Sequence, residues 1–289
     1  MDIVVCREVL TNLVTSCESL GIEANNVAKW KAMLGKMPPY LMESDGTLKE
    51  WAWPGLQERY AHRHVSHLYG VWPGDEIDPD RTPQLARAAE IADRRRTFDI
   101  MPNTVAGESL AAYTRCHRAL VGTRLKDNII VDIQLRQLIE QGYVSNALRC
   151  SREPYAIPIP DAQAGIPAIV MEMLVYARPG IIEVLPALPA ALKKGSIKGM
   201  LARTFARLNK LAWDMDARTV DITITSLKKQ DITLVARHGI EDISAPSGVL
   251  GEFTKGKADC ILHLPENKSV DIRLKLGNHN PLEWVNQVV

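Results

Sequence analysis

The run Ile181–Pro189 reads IIEVLPALP and marks the point where the spacing of apolar residues along the chain changes. Before it, in Ile3–Leu20 for example, apolar residues recur every three or four positions, as on one face of a helix. After it, in Val220–Thr225 and Val270–Leu276, apolar and polar residues alternate, which is typical of strands with one buried face. The sequence therefore predicts a mainly α protein with a β C-terminal domain. The helical block covers residues 1–180, and a small antiparallel β-sheet domain covers residues 181–289.

Glycine and proline residues set the limits of the predicted helices. The first helix ends at Gly21 and the second at Gly35. The last begins with Pro167 in its first turn and ends before Pro179. Predicted helices cover residues 3–20, 25–34, 83–95, 109–120, 128–141 and 165–176, and predicted strands cover residues 220–225, 232–236 and 270–276.

Charge and cysteine content exclude several classes of partner. The formal net charge of +1 argues against a nucleic-acid partner, and Arg94–Arg96 is interpreted as the solvated end of a helix. No apolar run approaches the roughly 20 residues that span a bilayer, and Met1–Glu8 lacks the pattern of a signal peptide. Five scattered cysteines favour reduced thiols and a cytoplasmic chain. A secreted or periplasmic location fits if the chain is part of a longer precursor.

The stretch His62–Gly74 reads HRHVSHLYGVWPG and concentrates imidazole, guanidinium and aromatic groups. Buried imidazole and guanidinium groups need partners, so a plain core segment fits this composition poorly. Three interpretations stay open for His62, His64 and His67: a metal site, a structural hydrogen-bonded cluster, or a site for a polar, ring-shaped ligand.

Two carboxylates are further candidates. Asp161 follows the proline-rich run Ile157–Pro160, which restricts the backbone; it also suits a helix cap or a turn. Glu50 lies beside Trp51 and Trp53, a combination that suits a sugar because indole faces stack on pyranose C–H surfaces while carboxylates accept hydroxyl hydrogen bonds. The alternative is an aromatic loop packed on the helices.

Five segments in order resemble glycoside hydrolase family 95, the inverting α-L-fucosidases, some of which prefer α-L-galactosides. The stretch His62–Gly74 is close to the most specific signature of that family. The resemblance extends over about residues 1–226. The other four segments are Asp45–Trp51, Gly107–Ala111, Asp161–Leu174 and Leu185–Pro189.

The resemblance implies a fold, a reaction and roles for several residues. The fold is a partial (α/α)6 barrel, or toroid, followed by a β domain. The reaction is hydrolysis of terminal α-linked L-fucose or L-galactose from oligosaccharides with inversion. Asp161 matches the aspartate that polarises the water-positioning asparagines, and Arg63 and His64 match residues that hold the sugar. With Glu50, Trp51 and His67 they form the predicted substrate-binding set, and no metal or cofactor is expected.

The chain also departs from the family pattern. Its beginning resembles sequence that follows the Ser-Pro-Glu-Asn segment, whose glutamate is the family's general acid, and the asparagine pair lies earlier still. We therefore expect the C-terminal portion of a member, with a missing N-terminal half of the barrel or self-association. Ala162–Ala164 stand where the family has Gly-Asn-Phe, and Glu108 replaces a tryptophan. The alternative function is a catalytically incomplete sugar-binding remnant.

Overall fold

Helices precede strands along the chain, as the spacing of apolar residues predicts. The computed structural model of the protein describes residues 1–60, 62–98, 111–140 and 158–279. The helices in these ranges are α1 (Asp2–Leu20), α2 (Ala24–Leu34), a 3-10 helix (Ser66–Gly70), α3 (Pro83–Phe98), α4 (Ala112–Arg124), α5 (Asn128–Glu140) and α6 (Pro160–Leu174). None of these helices is both long and apolar enough to cross a membrane.

Helices α1 and α2 pack against each other through a small apolar core. Val14 and Cys17 from α1 and Val27 from α2 are buried, and the partly buried Trp30 and Leu34 pack against them. The predicted end of α1 is confirmed: Gly21 adopts a left-handed φ of 66°, a conformation that favours glycine after a helix.

Helix α6 differs from its prediction at both ends. It begins at Pro160, not at Gly165, so Pro160 occupies the first turn and Pro167 lies inside the helix. It ends at Leu174 because the following residues, Val175–Arg178, form a strand with largely buried side chains. Periodicity alone does not distinguish a short buried strand from the end of a buried helix.

Ten strands follow the helices and form two five-stranded sheets in the described residues. The β C-terminal part is therefore confirmed. The strands are β1 (Val175–Arg178), β2 (Ile181–Val184), β3 (Lys194–Ala202), β4 (Ala206–Asp214), β5 (Thr219–Ser226), β6 (Gln230–Val235), β7 (Ile240–Ser244), β8 (Leu250–Phe253), β9 (Asp259–Leu264) and β10 (Ser269–Leu276).

The sheet order is β1-β2-β6-β9-β8 in one sheet and β3-β4-β5-β10-β7 in the other. The predicted alternation is confirmed where β5 pairs with β10: Ile222 lies opposite Ile272, and both side chains are buried. The expectation of purely antiparallel pairing is wrong at one place, because β2 and β6 run parallel. The chain leaves the first sheet after β2, makes β3–β5 of the second, and then returns as β6.

The described residues divide into two compact units. The first contains Met1–Val121 and the described part of Gln137–Ala162. The second contains Gly122–Arg136 and the described residues from Gln163 onward, including both sheets. The predicted domain boundary after residue 180 stays a prediction.

Candidate functional site

Apolar residues at every third position anchor the stretch His62–Gly74 in the first unit. Val65, Leu68 and Val71 are each 0% exposed. The 3-10 helix Ser66–Gly70 explains the spacing, because its period of three residues per turn places such side chains on one edge. The polar residues between them are thereby held in fixed positions.

His67, Arg96 and Glu50 form a connected set of hydrogen bonds. Arg96 Nη1 lies 3.0 Å from His67 Nε2, and Arg96 Nη2 donates to Glu50 Oε2 at 2.9 Å. A guanidinium can only donate, so His67 accepts at Nε2 and carries its proton on Nδ1. Burial and, secondarily, the charge of Arg96 hold the pKa of His67 well below its usual range.

Glu58 accepts hydrogen bonds from the backbone of Glu50. The backbone N–H of Glu50 donates to both carboxylate oxygens of Glu58 at 2.9 Å. The Glu58 side chain is 2% exposed, and its Oε2 lies 3.8 Å from Arg96 Nη2. Glu50 and Glu58 therefore compensate the charge of a guanidinium that is itself 0% exposed.

Arg118 connects α4 to this set. Its guanidinium donates to the carbonyl oxygens of Arg96 at 2.8 Å and of Arg63 at 3.3 Å. Burial lowers the pKa of Arg118 to about 10. The Arg118 side chain thus holds together the backbone at Arg63 and the backbone at Arg96.

Aromatic contacts surround the other two histidines. The His64 ring lies 5.1 Å from that of His62 and stacks on Tyr113 with 5.7 Å between centroids. Burial, followed by the charge of Arg63, lowers the pKa of His64. The Arg63 guanidinium itself keeps a buried Nε without a hydrogen-bond partner in the described part of the chain.

A cavity of about 330 Å³ lies against the hydrogen-bonded set. Glu50, Trp51 and His67, three of the predicted binding residues, all contribute to its wall. The Trp51 side chain is 47% exposed, which leaves an indole face available for a ligand. The remaining lining residues are Met1–Val4, Arg7, Pro38–Leu41, Lys49, Ala52 and Ser66.

Family comparison supports a carbohydrate-active lineage for this site. The model of the "Glycosyl hydrolase family 95 catalytic domain" matches residues 1–174, and that of the family's C-terminal domain matches residues 177–260. The chain belongs to glycoside hydrolase family 95. Alpha-L-fucosidase 2 of Arabidopsis thaliana is 33% identical over 207 residues, which are 70% of this chain and 24% of that protein. This family 95 chain thus spans about a quarter of the length of that curated relative.

One solved structure gives a much weaker likeness to this family 95 chain. It is a GH127 beta-L-arabinofuranosidase from Geobacillus stearothermophilus T6. The match covers 95% of this chain and 43% of that one, at 10% identity and a TM-score of 0.27. Such a low score carries no argument about the fold.

The other predicted site residues of this family 95 member, Arg63, His64 and Asp161, do not belong to the described cavity lining. Arg63 and His64 are not among the described residues that line the cavity. Asp161 is exposed in the first turn of α6, where the positive end of the helix dipole favours a carboxylate. Glu108 lies outside the described residues. The roles that the family resemblance gives to Asp161, Arg63 and His64 stay predictions.

The described residues contain no group of three His, Cys, Asp or Glu side chains placed to hold a metal ion. His67 Nε2 faces the Arg96 guanidinium. Of the cysteines, Cys6, Cys17 and Cys260 are free thiols, Cys116 donates to the carbonyl oxygen of Ala162 at 3.6 Å, and Cys150 lies outside the described residues.

The interpretation of Arg94–Arg96 as a solvated helix end is wrong for Arg96. Arg94 is half-buried and pairs with the buried Glu90 at 2.7 Å, whereas Arg96 is fully buried. A signal was present in the sequence: Ala89, Ala92 and Arg96 follow helical spacing, and all three are 0% exposed.

Proposed function

We propose that this chain forms the sugar-binding part of a glycoside hydrolase of the α-L-fucosidase type. The substrate is a terminal α-linked L-fucose, or L-galactose, on an oligosaccharide, and hydrolysis proceeds with inversion. Membership of family 95 and the similarity to Alpha-L-fucosidase 2 support the reaction class. The observation that carries the proposal is the cavity that joins Glu50, Trp51 and His67 in one wall.

The chemistry of this wall suits a monosaccharide ring. The exposed Trp51 indole can stack on the apolar face of a pyranose, and the Glu50 carboxylate can accept hydrogen bonds from its hydroxyl groups. Arg96 holds that carboxylate, and Glu58 holds the backbone N–H of the same residue, before a ligand arrives. Preorganised groups of this kind bind with a smaller loss of entropy than mobile ones.

Inverting hydrolysis needs an acid on one side of the glycosidic bond and a base that activates water on the other. We propose that Asp161 contributes to the base side, by polarising asparagines as the resemblance implies, and that Arg63 and His64 hold the sugar. We further propose that α1–α6 belong to an (α/α)6 barrel completed by further sequence or by a second copy of the chain.

Proton NMR of the purified chain with an α1,2-fucosylated oligosaccharide tests this function directly. Release of β-L-fucose as the first product is expected for an inverting site. The variant Trp51→Ala should weaken binding about tenfold, because a stacked ring contributes about 1–1.5 kcal/mol. Trp53→Ala is the matched control, since Trp53 is exposed and outside the cavity wall described above; it should bind like the unchanged chain.

Sugar binding without hydrolysis is the second candidate. It is favoured by the pairing of Glu50, the glutamate of the cavity wall, with Arg96, which engages that carboxylate as a hydrogen-bond acceptor. Shifted or broadened sugar signals without free fucose would support this alternative against the enzyme. Unchanged signals at millimolar sugar would contradict both candidates.

A further inference from the structure

Arg96 lies behind the cavity wall and contacts two residues that form it. Glu50 and His67 line the cavity, whereas Arg96 does not belong to its described lining. The guanidinium uses one terminal nitrogen for each of them, at 2.9 Å and 3.0 Å. Because it is fully buried, its orientation is fixed by these partners and not by water.

The bond to His67 depends on the proton state of the imidazole. Neutral His67 accepts a hydrogen bond at Nε2. A protonated ring carries a hydrogen on both nitrogens, so it cannot accept a hydrogen bond from a guanidinium. His67 Nδ1 is buried without a hydrogen-bond partner among the described residues. Among the described residues, the ring is therefore held by its hydrogen bond with Arg96, and protonation would replace that bond with repulsion between two cations.

We propose that Arg96 is a positioning residue that fixes the Glu50 carboxylate in the cavity wall, and that it does so only while His67 is neutral. This inference rests on the proposed sugar-binding function. Arg96 needs no contact with the sugar, because it acts through Glu50. Loss of the His67 contact would free the guanidinium to turn away from the geometry in which it holds Glu50.

Several charged groups face His67 from the elements packed around it. Arg96 in α3, His117 in α4 and the amino group of Met1 all oppose a positive charge on the ring. Around the cavity wall, Glu50 and Asp2 carry negative charge, and Arg7 and Lys49 carry positive charge. The nearest of these to the ring, Arg96, is held by carboxylates that compensate its own charge.

The first part of the test needs no sugar. Long-range proton–nitrogen NMR spectra of the full chain report the tautomer of each histidine. Near pH 7, His67 should be neutral with its proton on Nδ1. A proton on Nε2, or a charged His67 at that pH, would overturn the inference whatever the chain binds.

The second part measures binding of methyl α-L-fucoside. Arg96→Lys keeps the charge but cannot span both partners, and it should weaken binding about tenfold or more, the loss of a charge-assisted hydrogen bond. Arg94→Lys is the matched control two positions earlier in α3, where the guanidinium pairs with Glu90, and it should bind normally. Normal binding by Arg96→Lys would overturn the inference, whereas no binding by the unchanged chain would overturn the proposed function as well.

Two His67 variants separate positioning from a merely structural role. His67→Gln places an uncharged acceptor near the Nε2 position, so its affinity for the fucoside should depend less on pH than that of the unchanged chain, which loses affinity at acidic pH. His67→Leu removes the acceptor and should bind weakly at every pH. If Arg96→Lys does not fold, this pair still decides: equal pH profiles for His67→Gln and the unchanged chain would contradict the inference.

Discussion

Single residues explain why the stretch His62–Gly74 holds its shape. A Cβ atom on Gly74 would lie 2.7 Å from the carbonyl oxygen of Tyr69, to which the Gly74 N–H donates at 2.9 Å. The obstacle is backbone, which cannot move aside as a flexible side chain can. Glycine at this position is therefore required by close approach.

Gly74→Ala should lower the free energy of unfolding by about 1–3 kcal/mol, as overpacking does in a close-packed region. Urea denaturation measures the change. Gly35→Ala is the control, because Gly35 has a φ of −64° and an added Cβ would make only ordinary contacts; it should leave stability unchanged or raise it by about 0.5 kcal/mol. Equal effects of the two changes would contradict this explanation.

Sequence reasoning proposed Glu50, Trp51 and His67 as binding residues, because aromatic, carboxylate and imidazole groups are recognisable in short segments, and the three line one cavity. It did not find Arg96 as their partner. Glu50 and Arg96 are 46 positions apart, and nothing in the local pattern pairs them. Most charged residues are exposed, so a sequence-based prediction places them at the surface. Only the tertiary contacts show which of them are buried.

Among the elements, β2 carries a buried charge network in the second unit. Glu183 is 2% exposed, and its carboxylate lies 2.6 Å from Arg237 Nε and 3.0 Å from Lys126 Nζ. Lys126 also lies over the Tyr176 ring, 4.0 Å from its centroid. One carboxylate in a short strand therefore compensates two cations.

Glu183→Gln should destabilise the chain by about 3–5 kcal/mol, because it removes a buried carboxylate that pairs with two cations. Chemical denaturation followed by circular dichroism gives the value. The exposed pair of Lys255 and Glu241 provides a comparison, and Glu241→Gln should cost less than about 1 kcal/mol. A loss for Glu183→Gln as small as that for Glu241→Gln would show that the network adds little.

The three strands predicted from the sequence, β5, β6 and β10, all lie in the middle of their sheets. β5 and β10 alternate cleanly because each pairs on both sides and buries one face. β3 lies at the edge of the same sheet and buries few of its side chains, so no alternation was imposed on its sequence. The predicted bounds of α6 were wrong for a different reason. Where side chains are buried continuously, the sequence does not show the spacing of apolar residues on which the prediction depends.

For the whole molecule, buried histidines connect stability to pH. Burial lowers the pKa of His67, His117 and His238 below the ordinary value of 6.5. Near that pH these histidines bind protons in the unfolded chain but stay neutral in the folded chain. The free energy of unfolding should therefore be greatest above about pH 6.5 and fall as the pH decreases toward the lowered values.

Urea titrations at several values between about pH 5 and pH 8 check this dependence. In His67→Gln the free energy of unfolding should fall less steeply with decreasing pH, because one histidine with a lowered pKa has been removed. The lowered pKa values of Asp45, Asp214 and Asp221 act in a more acidic range, below the ordinary value of 3.8, and do not obscure the effect. Constant stability from pH 8 to pH 5 would refute the prediction.

The parallel pairing of β2 with β6 has a consequence for synthesis of the chain. On one side β2 pairs with its immediate neighbour β1, but its other partner follows only after β3, β4 and β5. Those three are antiparallel neighbours joined by short turns, so they can assemble from local contacts first. While the ribosome has released the chain only as far as β5, β2 keeps an unpaired edge, to which a strand of another nascent chain can add.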